Sequence, residues 1–150
     1  VGFGKAGSFE GFCSGGGIAQ LAASYVINKL KQGAKVNFCD NIESARKLTA
    51  KIIAEAAVSC DADALEIIRI SGEYLGRGLS ILIDILNPEC IVIGSIYARN
   101  ENLFKPHIER MLAREAIPSA VEVCTIKPAL LGDSIGDYAA LCVALYENQF

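Results

Sequence analysis

Leu86-Asn87-Pro88-Glu89-Cys90-Ile91-Val92-Ile93-Gly94-Ser95 holds the end of one element and the whole of the next. The residue before a proline avoids helical dihedrals, so the apolar pattern running into Leu86 has to stop at Asn87. Cys90 to Ile93 is a short apolar run without polar alternation, which predicts a strand covered on both faces. Gly94 then removes the side chain where the strand ends. In open α/β sheets ligands settle beyond the carboxyl ends of strands, so a planar ligand could approach the backbone here. An ordinary strand-to-loop turn has the same ten-residue signature, and the surrounding chain has to decide between them.

Upstream, Asp63 to Leu86 predicts a helix of about six turns, with Asp63 and Glu66 as a capping box. Leu65, Ile68, Leu75, Leu79, Leu82, Ile83 and Leu86 cover more than one narrow stripe, which predicts extensive burial. Gly72, Gly76 and Gly78 each cost such a helix up to about 1 kcal/mol against alanine, so close contact with another helix or backbone is expected to compensate. Ile18 to Lys31 and Ser44 to Ser59 show the same three- and four-residue spacing. Val1 to Gly17 holds seven of the fourteen glycines and is expected to be turn and loop. Downstream, a helix from Asn100 to Ala116, a strand from Val121 to Ile126 and a helix starting at Ser134 complete the order. Two short strands do not make a stable sheet alone, so they are expected to join further strands in a mixed sheet.

Composition narrows the class. The 150 residues are 52% hydrophobic and 21% charged, which excludes a disordered linker. A net charge of −3 and no basic stripe argue against direct nucleic-acid contact. No apolar run reaches the roughly 18 residues of a membrane span. None of the six cysteines lies within four residues of another, so no zinc-type or redox pair is spelled out, and a reduced, cytoplasmic chain is expected. Val1 is no initiator, and the chain is expected to be a piece of something longer.

Two further constellations carry possible chemistry. Gly7-Ser8-Phe9-Glu10-Gly11-Phe12-Cys13-Ser14-Gly15-Gly16-Gly17 places one acid, Glu10, just ahead of a helix that Ser14 can cap. Gly15 and Gly16 would let a ligand approach that helix start. The alternative is a glycine-rich connector with a solvated glutamate. Gly132-Asp133-Ser134-Ile135-Gly136-Asp137-Tyr138-Ala139-Ala140 offers a small-residue face centred on Gly136, suited either to a nucleotide or to a neighbouring helix. Asp133 and Asp137 suit the positive start of that helix better than a catalytic pair. His107 has no partner in sequence and reads as a packed or surface histidine.

In order, these segments resemble the ROK family (repressors, open reading frames, kinases), which comprises bacterial-type sugar kinases and sugar-responsive transcription factors on one fold. Gly4 to Gly15 resembles the family stretch Cys-Gly-x-x-Gly-Cys-Leu-Glu-x-x-x-Ser-Gly. Asp61 to Ser95 resembles its helix and Asn-Pro-Glu-x-Ile-Val-Ile-Gly-Gly strand, and Gly132 to Leu141 its final helix start. The resemblance implies the C-terminal lobe of an actin-like ATPase (RNase H-like) α/β fold, helix-rich with a small mixed sheet, over residues 1–150. It implies an ATP- and Mg2+-dependent kinase of glucose-type hexoses, homodimeric and cytoplasmic, whose phosphate loop and proton-accepting aspartate lie outside this chain. This chain alone would be inactive. The sensing domain of a sugar-responsive repressor, or a purely structural dimerisation piece, is the alternative.

By the same resemblance Glu10 binds sugar hydroxyls. Gly94, Ser95 and Ile96 border the adenosine, and Gly136, Gly15 and Gly16 border the nucleotide. The family's zinc cysteines fall on Val1, Phe3 and Ser8, so no zinc is expected, and packing by Phe3 is expected to hold the loop instead. Ser95 stands where the family has the second glycine of its turn.

Overall fold

The computed structural model describes residues 1–147, apart from the side chains of Asp133 and Glu147. Its helices are α1 (Phe9–Cys13), α2 (Gly15–Lys31), α3 (Ile42–Ala45), α4 (Ala50–Val58) and α5 (Ala62–Leu86). Strand β1 (Cys90–Ile93) follows, then α6 (Ser95–Arg99), α7 (Glu101–Glu115), α8 (Pro118–Val123), strand β2 (Thr125–Pro128) and α9 (Ile135–Glu147).

Helix α5 is the spine. Asn87 ends it in a left-handed conformation (φ 43°), and Pro88 prevents its continuation. Its start differs from expectation. Asp61, not Asp63, is the cap, accepting from the Asp63 and Ala64 amides at 3.0 Å, while Glu66 turns to Arg69. The glycine compensation is found against α7. A Cβ on Gly72 would sit 2.9 Å from His107 Cβ, and one on Gly76 would sit 2.6 Å from Met111 Cβ. That approach buries Phe104, Ile108 and Met111 almost completely. Full burial of such side chains is worth about 1.5–3 kcal/mol each, which outweighs the glycine cost. The core continues through Ile53 of α4 and Ile18, Ala22 and Val26 of α2.

Strands β1 and β2 are parallel, with Ile91 opposite Ile126 and Val92 opposite Lys127. A helical crossover, α6 to α8, joins them, as parallel pairing requires. The described residues hold no third strand of this sheet. Cover on both faces of β1 is not what the chain shows: Ile91 and Ile93 pack inward, whereas Val92 is 62% exposed.

Four further expectations need correction. Val1 to Gly17 is not all loop, because Ser8 Oγ accepts from the Gly11 amide and starts α1. Helix α1 is also tethered across 59 residues, where buried Ser71 donates to the Phe12 carbonyl at 2.7 Å. The helix expected from Ser44 to Ser59 is two, since Thr49 Oγ1 caps α4 by accepting from the Ile52 amide. Pro118 opens α8, so β2 begins at Thr125 rather than Val121. Phe3 does not pack either. It is 93% exposed, and the loop is held by Ser8, whose Oγ accepts from the Gly2 amide and donates to the Gly2 carbonyl. Asp137 does sit in the first turn of α9, while the Asp133 side chain lies outside the described residues.

Candidate functional site

Two helices meeting end to end place Glu10. Ser14 closes α1 through its amide, which donates to the Glu10 carbonyl at 3.1 Å. The same residue opens α2, where its Oγ accepts from the Gly17 amide at 2.9 Å. A Cβ on Gly17 would lie 2.5 Å from the Gly11 carbonyl oxygen, so only glycine permits this corner. Glu10 thus stands in the first turn of α1, exposed, with Gly15 at the start of α2 one short corner away.

The opposite wall is the turn after β1. Gly94 is extended (φ −93°, ψ −161°), and a Cβ there would make only an ordinary contact, 3.8 Å from Ala129 Cβ. The unusual residue is its neighbour: Ser95 has φ 56°, a left-handed conformation costing a non-glycine residue about 1–3 kcal/mol. Ile96 and Tyr97 are buried behind it.

Glu10 and the turn face one hollow. A cavity of about 380 Å3 is lined by Glu10, Cys13, Ser14 and Leu75 on one side and by Ile93, Gly94, Ser95, Ile96 and Tyr97 on the other. A second cavity of about 740 Å3 lies between α2, α4 and α6, lined by Gly15, Ala50, Lys51, Ala54, Ser95, Ile96, Arg99 and Asn100 among others. Both volumes suit small-molecule sites. Ser95 and Ile96 belong to both, so the turn is a shared wall. Gly16 is exposed and lines neither hollow, and Gly136 also lies outside both linings, with nothing near the position of a Cβ.

The chemistry of the smaller hollow is that of an acceptor. Glu10 is its one charged lining group. The Cys13 thiol beside it is pushed up to about 12, first by burial and then by the Glu10 charge, which removes it as a nucleophile. The larger hollow is lined by apolar Ala50, Ala54, Val58 and Ile96 and by polar side chains of both charges, Lys51, Arg99 and Glu55 with Ser59 and Asn100.

Comparison with known proteins decides the family. The ROK family model matches residues 2–146. The chain belongs to the ROK family. A glucokinase of Halalkalibacterium halodurans is 31% identical over 134 residues, which is 89% of this chain and 39% of that protein. The DNA-binding transcriptional repressor Mlc of Escherichia coli K12 is 26% identical over 111 residues, 72% of this chain and 27% of the repressor. Among solved structures, a ROK family glucokinase from Streptomyces griseus in complex with glucose and AMPPNP superposes with a TM-score of 0.69 at 22% identity, covering 87% of this chain and 42% of that one. The architecture is therefore the actin-like ATPase fold of this family. The chain spans about two-fifths or less of each of these proteins.

The ROK zinc pattern does not fit here. Val1, Phe3 and Ser8 offer no thiolate. The Val1 amino group instead donates to Gln20 Oε1 at 2.8 Å, and Ser8 ties Gly2 to Gly11. Among the described residues no three His, Cys, Asp or Glu side chains converge on a point that could hold a metal ion. No helix among them is long and apolar enough to cross a membrane.

Sequence reasoning missed Cys13, Leu75 and Tyr97 in the smaller hollow and Ala50, Ala54, Arg99 and Asn100 in the larger one. Ala50 and Ala54, four apart on α4, were a readable small-residue stripe. Nothing in the spacing of Leu75 or Tyr97 distinguishes a cavity wall from a core residue.

Proposed function

We propose that the full-length protein is an ATP-dependent kinase of a glucose-type hexose, and that this chain is its C-terminal lobe. The observation carrying this reading is the pair of adjoining hollows that share the Ser95–Ile96 wall. A two-substrate transfer needs its partners side by side with reacting atoms in near contact. One hollow presents a carboxylate, an acceptor suited to sugar hydroxyls. The other combines apolar lining with polar side chains, a mixture suited to a nucleoside.

In this reading Glu10 accepts hydrogen bonds from the sugar and fixes which hydroxyl faces the donor. Gly15, Ser95 and Ile96 line the hollow given to the nucleoside, and Gly94 leads into it from the sugar side; Gly16 and Gly136, outside both linings, are assigned to the nucleotide on the family resemblance alone. Mg2+ carried with ATP would neutralise the phosphates. The phosphate loop and the proton-accepting aspartate belong to the rest of the protein, as do the further strands of a mixed sheet. We place the protein in the cytoplasm as a homodimer, and this chain alone is expected to be inactive.

The regulator Mlc among its relatives supports a second reading, a sugar-sensing domain of a repressor. One experiment separates them. Purified full-length protein is given glucose and Mg-ATP, and ADP release is followed. Glucose-dependent release is expected. Glucose binding without turnover would favour the sensing reading, and neither binding nor turnover would leave a structural role.

A further inference from the structure

A third hollow, of about 260 Å3, lies between α7, α8 and β2. Ile108, Leu112, Val121, Cys124 and Ile126 give it an apolar lining, with Lys105, Glu109 and Thr125 as its polar side chains. Tyr97 completes it, and Tyr97 is the one residue it shares with the hollow of Glu10. The volume falls below the roughly 300 Å3 at which drug-sized sites begin, so it suits a molecule of single-ring size.

Tyr97 is only 2% exposed, its ring set against Phe104 with centroids 6.4 Å apart. A tyrosine this deep ordinarily gives its hydroxyl a partner. Here the hydroxyl makes no hydrogen bond with any described residue. It is not sealed off either, because no sealed side-chain oxygen among the described residues lacks a partner. It therefore opens on one of the two hollows that Tyr97 lines. Burial, then the charges of Glu101 and Glu109, hold the phenol above its usual pKa, so it remains a donor. Both carboxylates belong to α7, which supplies four residues to the third hollow and none to the smaller one. The donor is on the side of the third hollow.

Phenylalanine would fill the same space with no donor to satisfy. Apolar walls offer a water few further partners, so solvent serves this donor poorly. What suits it is a carbonyl or ether oxygen on a molecule whose remainder is apolar. Charge narrows the class further. Lys105 is paired with Glu101 at 3.8 Å, so Glu109 leaves the surroundings net negative and unfavourable to an anion.

We propose that the hollow between α7, α8 and β2 is an additional ligand site, which takes a neutral, largely apolar molecule of single-ring size whose oxygen accepts from the Tyr97 hydroxyl. The site does not depend on the kinase reading, since neither Glu10 nor the Gly94–Ile96 turn lines it.

The test uses the full-length protein, with acetophenone as the neutral probe and benzoate as its anionic counterpart, titrated by ligand-observed NMR. Acetophenone should occupy one saturable site. Tyr97→Phe, which keeps the ring, should weaken it about 3- to 10-fold, the worth of one neutral hydrogen bond. Val121→Phe, which fills the hollow, should abolish saturable binding. Benzoate should bind more weakly than acetophenone, and excess glucose should not displace acetophenone. Thermal midpoints show whether each variant is folded, and if Tyr97→Phe is not, Val121→Phe decides alone. The proposal is overturned by no saturable binding, by equal affinity in Tyr97→Phe or by binding retained in Val121→Phe. Tighter binding of benzoate, or displacement of acetophenone by glucose, overturns it too.

Discussion

Glu10 is one carboxylate on the rim of one hollow, and replacing its charge while keeping its shape measures what it does. A hydrogen bond to a charged group is worth about 1.5–3 kcal/mol, so Glu10→Gln in the full-length protein should raise the sugar KM about 10- to 100-fold. The ATP KM should stay within about twofold, because the carboxylate is not on the donor side. Steady-state kinetics checks this, and unchanged sugar constants remove Glu10 from the site. Cys13 lies beside it but is held as a thiol, its pKa pushed to about 12 by burial and by Glu10. It should therefore resist iodoacetamide at pH 8 in the native protein, as mass spectrometry of the labelled peptides would show; ready alkylation of the half-buried Cys13 would contradict that raised pKa. His107, packed on Gly72, is held below the usual imidazole value, first by burial and then by Arg110. A histidine in the unfolded chain titrates near about 6.5, so the unfolded state binds more protons below that pH. The stabilisation from a neutral His107 is complete above that value and is lost as pH falls toward the folded pKa. His107→Gln should flatten the drop in thermal midpoint between pH 7.5 and 5; an unaltered pH profile would contradict this.

Helix α5 and its contact with α7 set the scale above. Helix propensity alone says that Gly76→Ala stabilises by about 1 kcal/mol. The geometry says otherwise, because the new Cβ would lie 2.6 Å from Met111 Cβ and 3.1 Å from the Ile108 backbone. Overpacking of this kind costs about 1–3 kcal/mol, so a net loss is expected as a lower urea midpoint. A higher midpoint would mean that α7 sits farther away. Gly78→Ala should cost less, since the atoms it meets belong to the half-exposed Phe9 ring, which can swing aside. These elements also show what a sequence can tell. The stop at Asn87 and the strand to Ile93 were legible because Pro88 and a β-branched run act on their own neighbours. The tight seam at Gly72 and Gly76 was legible as a demand for a partner, though not as α7. Helix α1 was hidden because Ser8 starts it and Ser71, 59 residues beyond the Phe12 carbonyl it binds, holds it. The break at Thr49 was hidden because a cap of one hydroxyl interrupts an otherwise continuous apolar period. Strain at Ser95 was invisible, since dihedrals follow from how strand and helix are joined.

At the scale of the whole molecule, residues 85 positions apart in sequence, Glu10 and Ser95, face one space. No local pattern carries that information; it came from three segments matching a known family in order. The same view explains the open surfaces. Val92 on the sheet and Tyr138, Leu141 and Leu145 on α9 are uncovered within this chain, which spans about two-fifths of its glucokinase relative. The central claim is that two substrates meet across the Gly94–Ile96 turn. A crystal structure of the full-length protein with glucose and AMPPNP tests it most directly. Glucose hydroxyls within hydrogen-bond distance of Glu10, with the nucleoside between α2, α4 and α6, is the result expected. Both ligands bound elsewhere, with Glu10 and Ser95 facing only solvent, would contradict it.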